Sequence, residues 1–123
     1  MYDKEIVLDL LNRMEALTDR IHERFKGIKD VSELTNSSAG VEKLDLLLMP
    51  LIVMGELVTK IDHLTKQSLL THYPEIPWRE IKGLRNVVAH NYYQVNAEEI
   101  FDTCAKDVPQ LAETIKQIIS DMD

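Results

Sequence analysis

Residues 41–64 read VEKLDLLLMPLIVMGELVTKIDHL, and this stretch decides the fold class. Leu44, Leu47, Leu48, Leu51, Met54, Gly55, Val58 and Ile61 fall at steps of three and four, the spacing that lines one face of an α-helix. From Leu46 to Met54 every position is apolar, so neighbours are expected on more than one side of this helix. That run is nine residues, well short of the ~20 that span a bilayer. Pro50 has no amide hydrogen and should bend the helix. Gly55 has no Cβ and should let a neighbouring helix approach closely.

Working outward, the same periodicity recurs on both sides. Val7, Leu10, Leu11, Met14, Leu17, Ile21 and Phe25 place a first helix over about Asp3 to Lys26, with Gly27 to end it. Between them, Asp30 to Gly40 should hold a turn or irregular helix. Ser32-Glu33 and Ser37-Ser38 are both plausible starts, and the sequence does not choose between them. Thr65 to Ile76 reads as a connection. A third helix begins at Pro77, a favourable first-turn residue, and runs through Trp78 to His90. A fourth begins at Asn96, with Glu99 three residues on in a capping-box arrangement, and continues to Ile118 with a kink expected at Pro109. Short connections between four amphipathic segments predict an all-α, antiparallel four-helix bundle forming one domain over residues 1–123.

Composition narrows the function classes. At 45% hydrophobic and 28% charged residues, the chain is too apolar to be disordered and is ordinary for a soluble protein. Met1-Tyr2-Asp3-Lys4-Glu5 is charged rather than signal-like, and no membrane segment is expected, so a cytoplasmic location is assigned. The net charge of −7 argues against nucleic-acid binding by the surface as a whole, so any such site must be a local basic patch. The single Cys104 lies on an apolar stripe and reads as a buried small hydrophobe. His22, His63 and His72 are scattered without paired ligand spacing, so neither a metal site nor a cofactor is assigned, and His63 reads as a surface residue. Trp78 is assigned to core or interface rather than to base stacking.

One segment carries chemistry: Arg85-Asn86-Val87-Val88-Ala89-His90-Asn91-Tyr92. A histidine can take a proton from a ribose 2′-hydroxyl or give one to a leaving 5′-oxygen. An arginine presents a fixed fork of donors that suits phosphate and stabilises charge growing on its oxygens. A tyrosine can orient phosphate or stack on a base. On an ideal helix Asn86 and His90 are neighbours and share a face with Arg79, but Arg85 lies about 140° away from His90. Arg85 and His90 therefore meet only if the helix loosens near His90 or a second subunit completes the site. The second is favoured, with the stripe of Ile81, Leu84 and Val88 beside Trp78 as the seam. Taken by itself, an arginine and a histidine near a helix end is also what a solvated charge and a C-terminal cap look like. Arg79 and Lys82 are further candidate RNA contacts. Glu56, inside an apolar helix, is either a paired buried carboxylate or a residue facing the cleft.

Pro77-Trp78-Arg79-Glu80-Ile81, Leu84-Arg85-Asn86 and His90-Asn91-Tyr92 together resemble the signature of the HepT branch of the HEPN superfamily, Arg-x4-6-His with the longer form Arg-x4-His-x-Tyr. Leu51-Ile52-Val53-Met54-Gly55-Glu56 is similar to the Gly-Glu segment of that family's second helix, and the order of helices agrees along the chain. The resemblance implies a helical bundle that forms a homodimer around the motif, with an RNA cleft between the copies. It implies a metal-independent endoribonuclease with His90 as general acid or base, Arg85 on phosphate and Asn86 beside it. It also implies a toxin whose partner is a minimal nucleotidyltransferase antitoxin (MntA-like), with Tyr92 the AMP acceptor. The alternative is a non-catalytic nucleotide- or partner-binding subunit of a nucleotidyltransferase.

Overall fold

A computed structural model describes residues 2–91 and 95–123, with the backbone alone for 87–91. Tyr92 lies outside the described residues. Helix α1 spans Lys4–Phe25. Asp3 caps it, its Oδ1 accepting the amides of Glu5 and Ile6 at 3.1 and 3.2 Å. Its predicted stripe from Val7 to Ile21 is buried, and Gly27 turns the chain away at φ +88°, a conformation that favours glycine. Phe25 stays partly buried, edge-on to Phe101 with ring centroids 5.1 Å apart.

The two candidate starts between Asp30 and Gly40 have different fates. A short 3-10 turn occupies Val31–Leu34, closed by Glu33, whose carboxylate accepts the amides of Lys29 and Asp30 at 2.6 and 2.9 Å. Those two backbone donors hold the Glu33 carboxyl below the usual carboxylate range. Ser37 begins the long helix, its Oγ accepting the Gly40 amide at 3.0 Å. Gly40 is where the turn and the helix touch: a Cβ there would lie 2.3 Å from the Glu33 carbonyl oxygen.

Helix α2 spans Ser38–Thr65, 28 residues, with Pro50 inside it and buried. In an uninterrupted helix the amide of residue 50 would bond the Leu46 carbonyl, and proline has none to offer. Arg24 replaces it, Nη1 reaching from α1 to donate to Leu46 O at 2.7 Å. The end of α1 thus meets the beginning of α2, so the two run antiparallel. α2 stops where Lys66 and Gln67 both take left-handed backbone angles, at φ 52° and 62°.

After a 3-10 turn at Leu70–His72, α3 spans Trp78–Asn91. Trp78 is buried, and its indole N–H donates to Tyr73 O at 2.9 Å. Tyr73 in turn donates its hydroxyl to Asp121 at 2.7 Å, fastening this connection to the last helix. Burial first, then this bond to a carboxylate, pushes the Tyr73 hydroxyl up to about 12.

The fourth rod comprises α4, Ala97–Asp102, a π-helical turn at Thr103–Asp107, and α5, Val108–Asp121. Asn96 caps it as expected, Oδ1 accepting the amides of Glu98 and Glu99 at 3.0 and 3.2 Å. The kink expected at Pro109 takes the form of that wide turn, in which the Val108 amide reaches back five residues to Thr103 O. Widening the turn just ahead of Pro109 relieves the clash between its ring and the preceding carbonyls. The helices enclose one apolar core, with α1 packed on α2 and α5, and α2 also packed on α3. Among the described residues there is no strand, and no helix is long and apolar enough to cross a membrane.

Candidate active site

The site is built where α3 crosses α2 at Gly55. A Cβ on Gly55 would stand 2.7 Å from Ile81 O and within van der Waals contact of Lys82 O and the Arg85 amide. The absent side chain therefore lets the two backbones touch, as the sequence suggested. Two ion pairs flank the contact. Arg85 Nε lies 3.2 Å from Glu56 Oε1, and its Nη1 donates to Oε2 at 3.4 Å. One helical turn earlier, Lys82 Nζ pairs with Asp62 Oδ2. Positions rise along α3 as their partners fall along α2, so these helices are antiparallel.

The Glu56 question is answered by this geometry: it is paired, with Arg85, and the pair sits at the surface. The Arg85 side chain is 43% exposed and that of Glu56 54%. A guanidinium carries five N–H donors, so binding Glu56 through two nitrogens does not exhaust it. The carboxylate instead fixes the plane of the fork while leaving it open to solvent. Asp62 differs. It is buried, and its Oδ1 has no hydrogen-bond partner among the described residues. It anchors Lys82 from beneath, which sequence reasoning missed because Asp62 precedes His63 in what reads as a polar helix end.

Arg79 and Asn86 are exposed. α3 remains helical through His90 to Asn91; the His90 side chain, like Tyr92, lies outside what is described. The expected seam needs correcting. Trp78 and Ile81 are buried within this chain against its own core, so these two residues cannot face a second copy; Leu84 is half-buried, and the Val88 side chain lies outside what is described. Exposed apolar surface lies on α2 instead, where Leu46, Met49 and Val53 are 49%, 62% and 38% accessible. These three continue through Glu56, Lys60 and His63 at alternating steps of three and four, a single outward face that is apolar at one end and charged at the other.

The opposite flank of α3 is acidic. Glu80, Glu99 and Asp102 rim a cavity of about 520 Å³ floored by Leu84, Val95 and Ile100. Nearby, burial and then the Glu80 charge raise the Asp107 carboxyl above its ordinary value. The acidic rim disfavours an anion there, whereas Arg85 and Lys82 lie on the other flank, each paired with a carboxylate of α2. Cys104 is buried, and burial pushes its thiol up to about 12, which leaves no thiolate for catalysis and agrees with its assignment as a core residue.

Comparison with known proteins reaches most of this architecture. A family profile described as "Ribonuclease HepT-like" matches residues 14–118. A Methanocaldococcus jannaschii protein named "Putative RNase MJ0127" is 27% identical over 109 residues, covering 84% of this chain and 87% of the relative. Another from that organism, "Putative RNase MJ0125", is 26% identical over 120 residues, covering 98% and 93%. The Thermococcus cleftensis protein "Probable ribonuclease HepT" is 38% identical over 39 residues, 32% of this chain and 36% of the relative. No solved structure matches.

Proposed function

This chain belongs to the HepT-like ribonuclease family of HEPN proteins, and from that premise we propose that it is a metal-independent endoribonuclease toxin whose site is Arg85 and His90. The observation that carries the proposal is the Arg85–Glu56 pair: a guanidinium held in plane, open to solvent, on the helix that also bears His90. In the reaction, the ribose 2′-oxygen attacks the adjacent phosphorus while His90 either takes its proton or protonates the departing 5′-oxygen, with water completing the other transfer. The bond from phosphorus to that oxygen breaks, leaving a 2′,3′-cyclic phosphate and a free 5′-hydroxyl. Arg85 stabilises the charge that builds on the non-bridging oxygens. Asn86 supplies a polar contact beside it.

The helix through His90 bears on the assembly. Five residues of regular α-helix separate Arg85 from His90 by ~7.5 Å along the axis and by about 140° around it. Because α3 does not loosen before His90, a linkage gripped by both groups is best served by two motif helices facing each other in a homodimer. The exposed Leu46, Met49 and Val53 supply an apolar face for that pairing on the helix next to α3. The partner for neutralisation is a minimal nucleotidyltransferase that transfers AMP to Tyr92, filling the cleft and placing negative charge where substrate phosphate belongs.

The test is cleavage of RNA in the presence of chelator, with a cyclic phosphate among the products. Arg85→Ala and His90→Ala should each abolish it while the helical signal and melting temperature persist. Variants that cut like the wild type would remove the assignment. A tight complex with the nucleotidyltransferase and no cleavage by either protein would favour the non-catalytic subunit. Absence of AMP on Tyr92 by mass spectrometry after co-expression would eliminate the neutralisation step.

A further inference from the structure

Beyond Arg85, the charged half of the outward α2 face continues as a groove. Thr59 and His63 line two adjoining concavities, of about 520 and 510 Å³. The first also takes in Asp62, Lys66 and Lys82; the second takes in Lys60 and Glu56, the carboxylate that holds Arg85. Sharing Thr59 and His63, the two shallow spaces adjoin along the α2 surface, from Glu56, which holds Arg85, to the left-handed turn of Lys66 and Gln67. In a chain of net charge −7, Lys60, Lys66, Lys82 and Arg85 outnumber Glu56 and Asp62 here, so the local sign is reversed. Asp62, buried with one oxygen unpartnered among the described residues, keeps Lys82 at the floor rather than free on the surface.

We propose that this groove is a second phosphate subsite, in which Lys60, His63, Lys66 and Lys82 hold a phosphodiester of the RNA strand flanking the one bound at Arg85. The inference rests on the ribonuclease reading and gives its substrate a direction: the strand runs from Arg85 along the C-terminal half of α2. That half rises ~15 Å over the ten residues from Glu56 to Lys66, room for more than one nucleotide unit. Contacts of this kind read the backbone rather than the bases, so they set affinity and register and carry no sequence preference. They also explain how so acidic a chain binds RNA, since the strand meets reversed charge only along this line and meets the acidic rim of Glu80, Glu99 and Asp102 on the other flank of α3.

Fluorescence anisotropy of a single-stranded 12-mer RNA, measured with the full chain carrying His90→Ala across a salt series, tests this. Each lost phosphate contact on a single strand lowers the salt slope by about 0.7. Adding Lys60→Gln and Lys66→Gln together, which removes that one contact, should therefore reduce the slope by about 0.7 and weaken binding about 5-fold at 0.1 M salt. Lys106→Gln with Lys116→Gln, an equal charge change on exposed positions of the fourth rod, should leave the slope unaltered. An unchanged slope for the groove variant, or an equal fall for the control pair, overturns the subsite. With His90 intact, the groove variant should cut a dinucleotide as the wild type does and lose activity on the 12-mer through KM. A wild-type protein that binds RNA with the groove-dependent slope but cuts neither substrate keeps the subsite and refutes the ribonuclease mechanism. One that cuts both while the groove variant cuts both equally well refutes only the subsite.

Discussion

Gly55→Ala has an effect whose sign follows from the helix contact. Considered as a helix residue alone, alanine is better than glycine by ~0.8–1.0 kcal/mol, so the substitution ought to stabilise. The structure opposes this, because the new Cβ would stand 2.7 Å from Ile81 O, roughly 0.7 Å inside the 3.4 Å at which ordinary contact begins. The obstacle is backbone, which cannot rotate away, so α3 has to retreat from α2. Overpacking of this sort costs about 1–3 kcal/mol, which leaves a net loss of about 1 kcal/mol after the helix gain. With unfolding entropy near 2.1 cal/mol/K per residue, a chain of 123 residues should melt ~4 °C lower. Gly83→Ala is the control. It changes an α3 glycine whose Cβ would meet nothing within 4 Å, so the full helix gain appears and melting rises by ~4 °C. Thermal melts followed by circular dichroism read both variants. The retreat of α3 also pulls Arg85 from Glu56, and if Arg85 acts as proposed a displacement near 1 Å costs up to ~100-fold, so RNA cleavage by Gly55→Ala should fall well below its folded fraction. Stabilisation by Gly55→Ala, to the same degree as by Gly83→Ala, would refute the close approach on which the site depends.

Other substitutions probe separate parts of the fold. Arg24→Ala should cost about 1 kcal/mol by orphaning the Leu46 carbonyl; in a Pro50→Ala background, where residue 50 supplies the missing amide, the cost should vanish, and additive losses in the double-mutant cycle would contradict the replacement. Cys104 should resist a thiol reagent at pH 8 until the protein unfolds, because its thiol is held near 12 by burial; rapid stoichiometric labelling of the native chain would show otherwise. Tyr73 holds its proton more tightly when folded, up to about 12, than the ordinary value near 10. Its contribution is therefore complete below pH 10 and is lost as pH climbs from 10 towards 12, a decline in denaturation midpoint that Tyr73→Phe should flatten.

The helical architecture was legible because it is local. Apolar residues at three- and four-residue steps mark α1, α2 and α3, and Asp3, Asn96 and Gly27 mark ends by capping and backbone conformation, each a matter of residues close in the chain. Gly55 announced a close approach without naming what approaches. The Arg85–His90 motif could likewise be picked out, since residue type and family resemblance carry it. What the sequence left open were questions of pairing between distant segments. Glu56 proved to be paired, as one reading had it, but at the surface rather than buried, once α3 brought Arg85 beside it. Asp62 drew no reading of its own until Lys82 crossed over it, and Leu46's unpaired carbonyl is satisfied from α1, 22 residues earlier.

The apolar stripe of α3 shows the same division most plainly. Periodicity says that Trp78 and Ile81 must be covered, and burial within the chain covers them as completely as a second subunit would. The amino-acid order by itself determined which residues form helices and which faces of those helices avoid water, and it nominated the side chains proposed to cleave RNA. Only the tertiary structure decided which helix covers which face, because hydrophobic burial is non-directional and the choice among partners rests on shape, here on a missing Cβ at Gly55. That choice in turn places charge: it sets Lys82 and Arg85 of α3 beside Asp62 and Glu56 of α2, a juxtaposition decided by how the two helices cross and invisible to composition.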